Sequence, residues 1–146
     1  MKKQISRTLL GLFAVLALTA AAANAQTSRG LEIQVPFDFV AGKKQLPAGR
    51  YTVRRVRFDS ESALLIRGEG KGAEAVVLTS TGGGNPSRAA LTFRQHGERY
   101  FLAEVSVPGT ASVRALTRTR AERELIEQAR SGAAEPKTVT VAGRLR

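Results

Sequence analysis

From Leu31 the chain alternates. Leu31, Ile33, Val35, Phe37 and Phe39 are apolar, and Glu32, Gln34, Pro36 and Asp38 separate them. A period of two puts the five apolar side chains on one face of an extended segment, so a strand with one buried side is predicted. Burying five such side chains stabilises a fold by roughly 7–15 kcal/mol, an upper bound because unfolded chains are already partly collapsed. Pro36 has no N–H to give a ladder, which predicts a sheet edge or a bulge at that point. Gly42 ends the run, Leu46-Pro47-Ala48-Gly49 places a Pro and a Gly for a tight turn, and Tyr51-Thr52-Val53 opens a second strand. There the apolar phase slips: Tyr51 and Val53 share a face, while Val56 and Phe58 point to the other. A β-bulge at Arg54-Arg55 would return all four to one side.

Further short runs span Ala63–Arg67, Glu74–Thr79, Ala89–Gln95 and Arg99–Val107, separated by the turn-rich pieces GEGKG, TGGGNPS and QHGE. Such spacing is typical of an antiparallel meander, sandwich or barrel. In the Arg99–Val107 run one face carries Phe101, Ala103, Val105 and Val107, and the other carries Tyr100 and Leu102, so a cover is expected over the second face. A helix supplies it. Thr119 with Glu122 three residues on is a capping-box pattern, Leu125, Ile126 and Ala129 form an apolar stripe, Arg130 suits the C-terminal dipole and Gly132 can stop the helix. Arg120 with Glu124 and Arg123 with Glu127 add i,i+4 pairs. The β-branched run KTVTVAG reads as a last strand. The pattern therefore predicts a mainly all-β domain, an antiparallel β-sandwich or partly open barrel of about six or seven strands. One C-terminal α-helix falls at about residues 119–131 and the last strand at about residues 137–142.

The first 25 residues do not belong to that pattern and read as a secretory signal peptide. Lys2, Lys3 and Arg7 make the positive start, Leu9 to Ala23 the apolar run, and Ala23-Asn24-Ala25 the small-residue cleavage site. The single β-rich domain is then residues 26–146, without a membrane span after cleavage, in the periplasm or outside the cell. There is no Cys, so no disulfide, thiolate metal site or lipidated thiol is available. Setting aside Lys2, Lys3 and Arg7 leaves 20 basic against 12 acidic residues, a net charge of +8.

The segments VPFDFVAGKKQLPAGRY and LTFRQHGERYFLAEV, with the helix RAERELIEQ, resemble a group of short, uncharacterised exported bacterial proteins. In that group a signal peptide likewise precedes a Pro-Phe-x-Phe strand and a Leu-Pro-Ala-Gly-x-Tyr hairpin. The likeness covers most of Leu31 to Arg130 and implies export and a small β fold, with no functional residue carried over.

Candidate chemistry is sparse. His96 is the only His, beside Gly97 in an expected hairpin turn, where it reads as a solvated polar residue; no Ser sits in a G-x-S-x-G elbow. No catalytic, cofactor-binding or metal residue is assigned, because zinc needs several His or Cys and calcium an Asp-rich loop. The glycines of GEGKG lead into another strand rather than the helix a phosphate loop requires. Glu61, Glu74, Glu98 and Glu104 offer no defined carboxylate pair. The strongest charge feature is RYTVRRVR. Lys43, Lys44, Arg54, Arg55 and Arg57 are the candidate anion-binding residues, with Arg114 and Arg118 adding to the patch. A solvated Arg-rich face that guards a strand edge against aggregation produces the same pattern. Few aromatics and no Trp argue against specific nucleic-acid binding. The expected role is a non-catalytic exported module of the cell envelope, binding an envelope polyanion or a protein partner without a cofactor. Two other readings remain. A carrier of a small apolar ligand requires a cavity lined by residues such as Phe37, Phe39, Leu91 and Phe93, and a hydrolase requires a cleft with convergent titratable groups.

Overall fold

Pro36 ends the first strand and sends the chain from one sheet to another. In the computed structural model, which describes residues 30–57, 60–129 and 136–146, the predicted Leu31–Phe39 strand is two strands: β1 (Leu31–Val35) and β2 (Phe39–Ala41). The expected signal peptide, Phe58, Arg130 and Gly132 lie outside the described residues. After β2 come β3 (Lys44–Leu46), β4 (Gly49–Arg57), β5 (Ser60–Gly68), β6 (Glu74–Leu78) and β7 (Ser80–Thr81). The remaining elements are β8 (Ala90–His96), β9 (Arg99–Ser106), β10 (Arg114–Ala115), α1 (Arg120–Ala129), β11 (Lys137–Ala142) and β12 (Arg144–Leu145).

The protein is mostly β, a curled sandwich or half-barrel with one helix. One sheet runs β12-β1-β4-β5-β6. In the other, β11, β8 and β9 are neighbours, and the far edge of β9 is shared by β10, which leads to β7, and by β2, which leads to β3. The described pairings are antiparallel except β2 against β9, which is parallel through Phe39 with Tyr100 and Val40 with Phe101. Among the described residues no helix is long and apolar enough to cross a membrane.

The inner faces of both sheets meet in one core. Leu31, Ile33, Val35, Tyr51, Val53, Leu64, Ile66 and Val77 come from the first sheet, and Leu91, Phe93, Leu102 and Val105 from the second. Phe39 lies edge-on to both Tyr51, with centroids 5.1 Å apart, and Phe93, at 5.2 Å. Phe37 stacks on Tyr100 at 3.9 Å and meets Phe93 edge-on. The residues named for a ligand cavity are thus packed on one another, with Phe39, Leu91 and Phe93 buried.

The Leu-Pro-Ala-Gly segment is held from both sides. The Ala48 N–H donates to Asp38 Oδ1 at 2.7 Å, and the Tyr51 hydroxyl donates to the Pro47 carbonyl at 2.6 Å. Burial, and then the negative charge of Asp38, push the Tyr51 hydroxyl above its ordinary pKa, so it stays a donor. Gly42, at φ +62°, forms the turn between β2 and β3.

Two expectations about register are corrected. The β4–β5 irregularity falls between Arg55 and Arg57, not at Arg54-Arg55: Arg55 faces Leu64 and Arg57 faces Ser60, so the extra residues belong to β5. Val56 is consequently 46 % exposed rather than returned to the core. On β9 a bulge places Phe93 opposite Leu102 and Thr92 opposite Glu104, leaving Ala103 as the extra residue. The face therefore changes along the strand. Tyr100, Leu102, Val105 and Val107 pack in the core, and Phe101 faces out beside its cross-strand partner Arg94.

The final residues fasten the two sheets together. β11 pairs with β8, then Gly143 turns the chain so that β12 pairs with β1. Glu32, on the outward side of β1, is buried beneath Arg144 at 3.2 Å, Arg50 at 3.7 Å and Arg146 at 3.8 Å. Part of the basic excess, on Arg50, Arg144 and Arg146, is thereby matched within the fold.

Candidate functional site

Helix α1 starts where its capping residue predicts: the Glu122 N–H donates to Thr119 Oγ1 at 3.1 Å. The Glu122 side chain does not complete the capping box. It points instead to β8, where Oε1 accepts from Arg94 Nε at 2.6 Å and Oε2 from Arg94 Nη2 at 3.0 Å, with His96 Nε2 3.1 Å from Oε1. Burial pushes the carboxyl pKa up. The hydrogen bonds and charge of Arg94, with those of His96, outweigh burial and hold it below its ordinary value.

The helix is therefore latched by a buried ion pair rather than by its apolar stripe. Glu122 is its buried residue, whereas Leu125 and Ile126 are half-buried and Ala129 is exposed. His96, expected to be a solvated turn residue, ends β8 with its ring turned in: its side chain is 11 % exposed and lies edge-on to Phe101 at 5.8 Å. The Arg99 guanidinium sits 5.3 Å from the centre of the same Phe101 ring. The cover over the outer face of β9 is thus largely polar.

Glu122 and His96 form the closest carboxylate–imidazole pair described. A general acid or base needs a pKa near the working pH and a free path to substrate. Glu122 has both oxygens bonded to Arg94, a lowered pKa and no exposure, so this cluster joins the helix to β8 and does not meet those two requirements.

What the latch positions is the wall of an open cleft of about 1140 Å³. Its floor comes from Val40, Val76, Val77, Leu78 and Leu116, and its rim from Lys43, Arg99, Arg118, Arg120 and Arg123. The carboxylate in the lining, Glu124, is bonded to Arg120 at 2.7 Å. Val76 is 60 % and Leu78 76 % exposed, both on β6, the outermost strand of its sheet.

The candidate anion-binding residues occupy different places. Lys43 lies in the β2–β3 turn on the rim of this cleft, and Lys44 opens β3 next to it, exposed. Arg54 and Arg55 line a second cleft of about 460 Å³, with Leu31, Val53, Val105 and Arg114. Arg57 is the last residue of β4. Arg54 and Arg55 share cross-strand rows with Val76 and Val77 through Leu65 and Leu64, so in the first sheet the two clefts are separated across the strands β4, β5 and β6 rather than along them.

Of the carboxylates considered for catalysis, Glu74 is bonded to Arg67 on the first sheet and Glu104 lies on the second, while Glu98 is exposed in the β8–β9 turn. Among the described residues no three His, Cys, Asp or Glu gather as a metal site. The Arg120–Glu124 pair was expected from its i,i+4 spacing, whereas the bond of Arg94 to Glu122 and the places of Arg99, Arg120 and Arg123 around the cleft were not. The one available signal was Glu122 within the capping box, a carboxylate whose partner lies on another strand. Compared with known proteins, the chain matches no family model, no curated protein and no solved structure.

Proposed function

We propose that this protein is a non-catalytic, exported β module of the cell envelope that binds anions through the cleft between β6, the β2–β3 turn and α1. The observation that carries this reading is the charge around the cleft: five basic side chains line it, and its lining carboxylate, Glu124, is already paired with Arg120. Among the described residues Glu32, Glu69, Glu74, Glu122 and Glu124 pair with Arg50, Arg67, Arg94, Arg120, Arg144 and Arg146 rather than with Lys43, Arg99 or Arg118. Cations gathered on a concave surface reinforce one another's field and attract an anion over a range of about 8–10 Å in physiological salt. Export rests on the Lys2-Lys3 start and the Ala23-Asn24-Ala25 site in the sequence.

The experiment is retention on a heparin column under rising salt, with two variants. Arg118→Ser with Arg123→Ser removes charge from the cleft, and Arg54→Ser with Arg55→Ser removes it from the second cleft. Earlier elution of the first variant and not the second is expected. Unchanged elution of the cleft variant refutes the assignment.

A further inference from the structure

The geometry points to a narrower ligand class for this cleft: a single-chain anionic amphiphile, one acyl chain ending in a carboxylate or phosphate. The inference rests on the anion-binding reading and adds to it the apolar floor. A purely polar anion, such as a polysaccharide, would satisfy Arg118 and Arg123 and leave Val76 and Leu78 uncovered. A neutral lipid would cover the two apolar side chains and strip water from the rim cations without giving them an anion. An acyl chain along Val40, Val76 and Leu78 with its acid group toward Lys43, Arg118 and Arg123 answers both.

Shape and charge select among other occupants. The volume of about 1140 Å³ is slightly above the range of ordinary ligand pockets, about 300–1,000 Å³. That concavity suits a discrete molecule better than the flat surface of a bilayer. A second copy of the chain, docking through the same apolar patch, would bring two sets of rim cations face to face, which opposes the contact. Val76 and Leu78 project from the outer side of β6, with Leu65 and Ala63 as their cross-strand neighbours, so the apolar strip extends past the cleft mouth along the sheet. A chain longer than the cleft still has surface to follow.

The test is calorimetric titration of the purified protein with octanoate, decanoate and dodecanoate, each below its aggregation concentration, alongside the heparin measurement. Affinity is expected to rise with chain length, approaching about fourfold per added methylene where burial is complete. Val76→Ser with Leu78→Ser changes two exposed positions that the fold does not use; it should flatten the chain-length dependence and leave heparin retention unchanged. Arg118→Ser with Arg123→Ser should weaken both. Equal affinity for the three acids, with cleft-dependent heparin retention intact, overturns the amphiphile and leaves the anion reading standing. Equal affinity for the three acids together with heparin retention that Arg118→Ser with Arg123→Ser leaves unchanged overturns both. Binding to anionic vesicles, or to an acidic peptide, without binding of monomeric dodecanoate overturns the inference in favour of a membrane surface or a protein partner.

Discussion

Arg94 and Glu122 stand 28 residues apart in sequence and side by side in space, each guanidinium nitrogen facing its own carboxylate oxygen, at 2.6 and 3.0 Å. This pair joins helix α1 to strand β8. Glu122→Ala leaves the Arg94 charge partly buried without its partner, and loss of one member of a buried pair costs about 3–5 kcal/mol. Urea denaturation should show a loss at the lower end of that range, since the Arg94 side chain is 19 % exposed. Replacing both residues by Met is expected to recover much of the loss, which a double-mutant cycle measures.

The same carboxylate gives the protein an acid limit. Its pKa is lowered in the folded state, so the unfolded chain takes up the proton first as pH falls. Its contribution is therefore complete above the unfolded value of about 4.3 and disappears as pH drops through the lower folded value. Melting temperatures between neutral and acid pH should fall more steeply for the natural protein than for Glu122→Gln, whose side chain does not titrate. Parallel curves would contradict the latch.

At alkaline pH the sign reverses. The Tyr51 pKa is raised, so its contribution is present below the unfolded value of about 10 and is lost as pH rises through the folded one. In a Tyr100→Phe background, tyrosinate absorbance should appear above the pH of a free tyrosine, together with unfolding. Tyr51→Phe should cost about 1 kcal/mol for the bond to Pro47.

Gly143 has no room for a side chain. A Cβ there would lie 2.6 Å from Leu31 Cδ1, 2.8 Å from the Glu32 carbonyl oxygen and 3.2 Å from Ile33 Cβ. A backbone oxygen within a sheet cannot give way as the end of a flexible side chain can. Gly143→Ala is therefore expected to destabilise by about 1–3 kcal/mol, read as a lower melting temperature.

The strands of five residues or more, β1, β4, β5, β6, β8, β9 and β11, were legible in the sequence because each has an apolar phase of its own. What one strand's pattern cannot contain is its partner's spacing. The slip in RYTVRRVR looked like an extra residue in β4, yet the extra residues lie on β5. The bulge at Ala103 turned Phe101 outward although every residue around it fits unbroken alternation. β2, β3, β7, β10 and β12 are two or three residues each, too short for periodicity to register. The cleft was less legible still. Lys43, Arg99 and Arg118 come from separate parts of the chain, and the bond of Glu122 to Arg94 on β8, which helps to bring the helix's cations beside the lysine, spans 28 residues.

The path of the chain after α1 bears on how the protein folds. β8 and β1 acquire their second neighbours only from β11 and β12, the latest strands to be synthesised, and Arg144 must find Glu32 across 112 residues. Closing loops of that length is slow. Until Lys137 and its successors arrive, both strands present bare backbone to any extended polypeptide nearby, so the nascent molecule is most open to aggregation, and most in need of a holdase, in that interval.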